Sequence, residues 1–393
     1  MKGTTDSTAI NKSLTALDNY LLLGKSGLRI SPLALGTMTF GEQWGFGSNK
    51  EVCRKIFDRY YEEGGNFFDT ANCYTNGDSE RFLGEYISGK RTECVVATKY
   101  SINPAPEDLA DKYFRVYPNH GVKTTGTRRP NPNAGGNHRK SLVETLDGSL
   151  KRMGIGYTDI LYVHLWEYRT PIQEVMRALD DVVRSGKALY VGISDAPAWV
   201  TATGNTIAEL RSLTPFISMQ SRFNMLNRSL EAEIQPMCAE HGLGIVPWGV
   251  LAEGFLTGKH TRETTAATKR TVTGHFADPK NWSILDEVSA IAAECKRTPA
   301  QVALNWAMQK PGITSPLLGV RTIEQLEDNL GALEFALNRE QMARLDKVSN
   351  PASWPFPQDV MQNLNRFVGL GLEMEMPNQY HALQSLRTAS TSE

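Results

Sequence analysis

Eight short apolar runs recur along this chain in strict alternation with amphipathic stretches, and no other feature restricts its fold as strongly. The runs are Leu33–Met38, Phe67–Ala71, Cys94–Tyr100, Asp159–His164, Leu189–Ser194, Phe216–Ser221, Gly244–Gly249 and Ser315–Val320. Several are almost continuously hydrophobic, as parallel strands buried on both faces are. Helical periodicity is predicted over Asn49–Glu63, Ser79–Ser88, Arg139–Met153, Pro171–Ser185, Ser229–His241, Trp282–Cys295, Pro299–Gln309 and Thr322–Gly331. Gly64-Gly65, Gly154 and Gly186 stand where three of these helices would stop. Eight strand–helix units over this span predict an α/β fold of the (β/α)8 TIM barrel type. The rival, an open doubly wound sheet, calls for GxGxxG between a strand and a helix. Gly45-Phe46-Gly47 lacks the third glycine, and Gly254–Lys259 is too short for a phosphate loop.

Three segments fall outside the alternation. Leu21–Ile30, centred on Gly24-Lys25-Ser26-Gly27, reads as an N-terminal hairpin. Ser101–Asn137 is a long polar loop after the third strand, and Pro351–Glu393 is a C-terminal extension with a Ser/Thr-rich end. The expected organisation is a flexible tail over 1–19, a barrel over 20–350 and the extension over 351–393, its end mobile. A net charge of −1 gives no electrostatic footprint for nucleic acid or an anionic membrane. No apolar run reaches the roughly 20 residues of a membrane span, and Met1–Asn19 lacks the core of a secretory signal. The five cysteines and seven histidines show no CxxC or HExxH spacing, so no metal is expected. Reduced thiols and a cytoplasmic location are expected instead.

Polar residues that close barrel strands lie at the C-terminal mouth, where such barrels carry their chemistry. Asp69 closes the second run, Lys99 the third and His164 the fourth, while Tyr74 follows in the loop after Asp69. Each has an ordinary structural use, since a strand-end Asp–Lys pair is most often a plain salt bridge. The conjunction points to carbonyl reduction, which needs hydride at carbon and a proton at the developing oxyanion. Tyr74 is the candidate proton donor, with a reference pKa of about 10 that a neighbouring Lys99 is expected to lower. Asp69 would keep Lys99 charged and placed, and His164 would orient the carbonyl oxygen.

In order and context, Asp69-Thr70-Ala71-x-x-Tyr74, Lys99 and His164 resemble the Asp/Tyr/Lys/His tetrad of the aldo-keto reductase superfamily. So do Gly36-Thr37-Met38, Gly192-Ile193-Ser194-Asp195, Gln220, Leu251–Lys259 and Gly319-Val320-Arg321-Thr322 with Gln325-Leu326 and Asn329. The likeness runs from about Leu21 to Val348 and is closest to the aryl-alcohol dehydrogenase and norsolorinic-acid-reductase-like branch.

That resemblance implies NADPH lying across the barrel mouth, near Gly36, Thr37, Met38 and Asp69. Ser194, Asp195 and Gln220 would bind the nicotinamide amide, and Phe223 would stack under its ring. Trp248, Gly249, Val250 and Leu251 would line the pyrophosphate, with Lys259 as counter-charge. Gly319 allows close backbone approach, Arg321 suits a 2′-phosphate, and Gln325 and Asn329 complete the set. The chain departs from the family pattern at Asp195, usually Asn, at Gly249, often Ser, and at Phe223, usually Tyr. Trp44, Tyr100 and Trp166 are the candidate substrate contacts and suggest an aryl or polyketide-like aldehyde or ketone. The same residues also fit alcohol oxidation in secondary metabolism, or an NADP(H)-binding subunit that senses redox state.

Overall fold

Alternation of side chains along the strands sorts this chain into an inside and an outside. The structure, a computed structural model, describes residues 16–103, 131–262 and 274–361. A two-stranded hairpin, β1 (Leu21–Leu22) and β2 (Arg29–Ile30), precedes the sheet. Eight parallel strands follow: β3 (Ala34–Gly36), β4 (Phe67–Asp69), β5 (Val95–Tyr100), β6 (Thr158–Val163), β7 (Ala188–Ser194), β8 (Phe216–Arg222), β9 (Gly244–Trp248) and β10 (Leu317–Leu318). They hydrogen-bond in the order β10-β3-β4-β5-β6-β7-β8-β9. The last gap is bridged by Ile245 and Ile313 in parallel, with the Thr314 amide donating to the Ile245 carbonyl at 2.8 Å.

One cluster fills the cylinder: Ala34, Phe67, Val95, Ala97, Ile160, Tyr162, Ile217 and Val246, capped from below by Leu23 and Ile30 of the hairpin. The hairpin seats because Gly24 is left-handed (φ 58°) and passes so close to the starts of β8 and β9 that a Cβ there would lie 2.4 Å from the Ile217 carbonyl oxygen. The alternate residues, such as Val96, Tyr100, Leu161, Val163 and Met219, belong to the larger core between strands and helices.

That outer layer comprises α1 (Lys50–Glu62), α2 (Asp78–Tyr86), α3 (Arg139–Met153), α4 (Ile172–Arg184), α5 (Ala198–Arg211), α6 (Ile234–His241), α7 (Pro279–Cys295), α8 (Pro299–Met308), α9 (Ile323–Leu330) and α10 (Arg339–Ser349). Local signals set their ends. Asn49 accepts from the Val52 amide at the start of α1, Thr298 and Gln301 form a reciprocal cap on α8, and left-handed Gly154 ends α3. Among the described residues, no helix is long and apolar enough to cross a membrane.

Helix α5 was not expected from sequence. Its Thr, Gly and Asn residues are poor helix formers, and packing overrides them: Gly204 brings the helix against Phe216 and Met176. The tail expected over 1–19, the loop over Ser101–Asn137 and the extension over 351–393 fall mostly outside the described residues. Both ends of the loop are described and are clasped. The Gly136 amide donates to Ser101 O at 2.8 Å, and Asn137 Nδ2 donates to Ser101 Oγ and to Leu165 O, each at 2.9 Å. At the start of the extension, Trp354 is buried and Gln358 donates to Ala232 O after β8.

Close backbone packing at one glycine is testable. A Cβ on Gly84 of α2 would stand 2.2 Å from the Met153 carbonyl oxygen, whereas one on Gly156 would meet nothing within 4 Å. Gly84→Ala should cost about 1–3 kcal/mol in a denaturant titration, and Gly156→Ala should stay within about 0.5 kcal/mol of the parent.

Candidate active site

The inward positions at the ends of the strands gather one polar set at the mouth. Asp69 stands two residues beyond inward Phe67, and Lys99 two beyond inward Ala97, so both point into the cylinder. Lys99 is fully buried and Asp69 is 2% exposed. The Lys99 ammonium donates to Asp69 Oδ2 at 2.5 Å, to Thr70 O at 2.8 Å and to the Tyr74 hydroxyl oxygen at 3.3 Å. An ammonium has three donors, and all three are used. Gln220 Nε2, inward on β8, donates to the other carboxylate oxygen of Asp69 at 2.9 Å.

Tyr74 enters on a tight turn whose next two residues, Thr75 and Asn76, are left-handed (φ 44° and 56°). Thr75 Oγ1 pins the turn by donating to Phe40 O at 2.6 Å and accepting from the Ser79 amide at 3.0 Å. His164 follows β6, its amide bonded to Tyr100 O at 2.9 Å. Its ring meets the Tyr74 ring edge-on, with centroids 5.7 Å apart, and Trp44 meets Tyr74 the same way at 6.1 Å. Tyr74, His164 and Trp44 are half-buried at the opening.

Burial decides the protonation of this set. It pushes the Tyr74 phenol well above its ordinary value, with the Asp69 charge adding to the effect. The sequence expectation that Lys99 lowers this value is therefore corrected. The ammonium lies closer to Asp69 than to the phenol, and what it offers the phenolate is outweighed by burial and by the Asp69 charge. Burial and then the Lys99 charge hold His164 well below the usual histidine value. A neutral phenol thus faces a neutral imidazole. His164 Nδ1 is buried without a hydrogen-bond partner.

The remaining sequence candidates divide by strand parity. Ser194 on β7 is buried at the inner end. Asp195 next to it is left-handed (φ 43°), gives its amide to Gln220 O at 3.0 Å and accepts from Trp248 Nε1 at 3.0 Å. Trp248, the last residue of β9, is half-buried at the mouth, and Gly249 after it is left-handed (φ 70°). Leu251 and Met38 are half-buried, Val250 and Asn329 are buried, and Gly319 is exposed. Thr37 is buried, bonded to Asp69 O and Ser79 Oγ, and a Cβ on Gly36 would lie 3.2 Å from Leu318 O. Lys259 folds its ammonium over Gly254. Arg321 gives its amide to Gln325 Oε1 at 2.9 Å just before α9. Its guanidinium makes no ion pair or hydrogen bond among the described residues.

Two expectations fail. Phe223 is fully buried and stacks on Trp306 at 5.2 Å, because its position after β8 is the outward one. It cannot lie under a ring at the mouth. Tyr100 is likewise outward and fully buried, its hydroxyl donating to Asn137 O, so it touches no substrate. Trp166 is 8% exposed, with its indole N–H unpaired. Sequence reading missed Arg222, which ends β8 on the inward side and rests its guanidinium 4.6 Å from the Trp248 ring centroid. Counting two residues on from Gln220 would have found it. No group of three or more His, Cys, Asp or Glu able to hold a metal occurs among the described residues. All five cysteines are free.

A closed parallel barrel with an Asp–Lys–Tyr contact and a histidine at its mouth defines a class, and residues 32–350 match the Aldo/keto reductase family. The chain belongs to that family of oxidoreductases. Within it, the chain falls in the branch of norsolorinic acid reductases and aryl-alcohol dehydrogenases. It is 34% identical over 346 residues to "Norsolorinic acid reductase" of Aspergillus flavus, covering 87% of this chain and 83% of the relative. With "Norsolorinic acid reductase stcV" of Emericella nidulans the identity is 37% over 328 residues, covering 82% and 79%. With "Aryl-alcohol dehydrogenase [NADP(+)]" of Phanerodontia chrysosporium it is 35% over 337 residues, covering 81% and 83%.

Removing one half of a buried pair strands the other. Lys99→Met should destabilise the protein by about 3–5 kcal/mol in a urea titration, by leaving Asp69 uncompensated. Adding Asp69→Leu to that variant should recover much of the loss. A double variant no more stable than Lys99→Met alone would contradict the pairing.

Proposed function

We propose that this chain reduces an aldehyde or ketone to an alcohol with NADPH, with Tyr74 as the general acid. The observation that carries the reading is the Lys99 ammonium lying between Asp69 at 2.5 Å and the Tyr74 oxygen at 3.3 Å, beside His164. The raised value of the phenol supports the acid role, because the donor must arrive protonated. When its proton passes to the substrate oxygen, the ammonium already bonded to the phenol oxygen stabilises the phenolate without rearrangement. Neutral His164, its ring edge-on to Tyr74 at the opening, can hold the carbonyl oxygen in place. Asp69 and Gln220 fix the ammonium on its axis.

The residues present fit the dinucleotide. Arg321 offers an unpaired guanidinium at the amino end of α9, suited to a 2′-phosphate, and the name of the Phanerodontia relative carries NADP(+). Left-handed Gly249 and exposed Gly319 present bare backbone for close approach. Trp248 takes over the ring-stacking role expected of Phe223. Bound there, the reduced nicotinamide would supply the hydride. Trp44 and Trp248 at the opening, with the printed names of the relatives, favour an aryl or polyketide-like carbonyl compound.

NADPH oxidation measured over a panel of aryl aldehydes, with NADH as control, tests the reading. Tyr74→Phe should lose at least ~100-fold in kcat while still quenching protein fluorescence on binding NADPH. Reduction should run flat with pH through the ordinary histidine range near 6.5, because His164 is neutral well below it. It should fall only in strong alkali, as Tyr74 loses its proton above its ordinary range. An acidic limb centred near 6.5 would refute this protonation state.

A further inference from the structure

We propose that Arg222 selects carbonyl substrates that carry an ionised acid group, a specificity that rests on the carbonyl-reductase reading above. Strand parity places Arg222 two residues beyond Gln220, on the inward side of β8, with Trp248 its partner in register on β9. The guanidinium lies 4.6 Å from the centre of the Trp248 ring. An arginine laid on an indole has one face covered and its rim of N–H donors left free, the fork that binds a carboxylate by two parallel bonds.

This arginine, like Arg321, keeps its donors unpaired, and it alone of the two lies beside Trp248. Arg228 pairs with Glu231, Arg152 with Glu80 and Arg184 with Asp180. Arg222 makes no ion pair or hydrogen bond among the described residues. Its neighbouring carboxylate, Asp195, is engaged by the Trp248 indole N–H instead. Lys99, the other cation at the mouth, is fully committed to Asp69, Thr70 and Tyr74. Arg321 stands beyond β10, on the part of the rim suited to the cofactor. An anion entering beside Trp248 would therefore meet the free donors of Arg222, whose charge also acts on Asp195.

The test uses two aldehydes alike except in charge, 4-formylbenzoate and its methyl ester, with the full chain and NADPH. In the parent, kcat/KM should favour the carboxylate by about tenfold, the size of one charge-assisted bond at a solvent-reached site. The preference should reside in KM and weaken with added salt. Arg222→Gln should bring the carboxylate-to-ester ratio near one, and Arg222→Lys should restore part of it. Binding is read separately, by fluorescence titration of NADPH-loaded Tyr74→Phe with each aldehyde. The carboxylate should bind more tightly, and the difference should vanish when Arg222→Gln is added. Equal affinities of the two aldehydes in Tyr74→Phe would overturn the proposal. So would an Arg222→Gln change that alters both aldehydes alike or shifts only the affinity for NADPH. If the carboxylate binds preferentially but neither aldehyde is turned over, the reductase reading fails and the acid selectivity stands.

Discussion

One buried ion pair organises the mouth of this barrel. Lys99 and Asp69 are both withdrawn from water, which is tolerable only because each satisfies the other at 2.5 Å and their remaining valences go to Thr70, Tyr74 and Gln220. The arrangement also removes freedom. An ammonium with three fixed acceptors cannot swing, so the phenol oxygen it touches has a fixed neighbour, and the ring of His164 closes against a fixed target. The charge is present yet already answered, and burial therefore keeps the tyrosine in its protonated form.

Strand parity explains how five strands far apart in sequence contribute to one site. A period of two residues sends Asp69, Lys99, Ser194, Gln220, Arg222 and Trp248 inward and their neighbours outward to the helices. Below them the cylinder is filled by Phe67, Ile160, Tyr162 and Ile217, and Tyr162 fits only because Gly192 opposite it lacks a Cβ, which would lie 2.3 Å from the ring. The floor of the site is therefore packed protein, and the hairpin seals the other end.

Much of this was legible before any coordinates. The eight apolar runs fall on the eight strands, and Asp69, Tyr74, Lys99 and His164 meet as their positions at strand ends suggested. What escaped was parity and context. Residue type alone points Phe223 and Tyr100 at a ligand, but each sits one residue past an inward position and is packed outside the barrel. Arg222 went unnoticed for the same reason. The direction of the Tyr74 shift could not be read from residue types, because it is set first by how deeply the phenol is buried. Helix α5 was hidden by residues that form helices poorly and are held there by tertiary packing.

The clasp at Ser101 has a separate meaning. Where β5 leaves the sheet just past Lys99, the chain is tied back at once, by the Gly136 amide on the Ser101 carbonyl and by Asn137 bridging to Leu165. The strand that carries the ammonium and the helix that follows are thus joined at the root, whatever runs between residues 103 and 131. Substitutions between the two ends of the clasp can therefore accumulate while the proton donor and its cation keep their places.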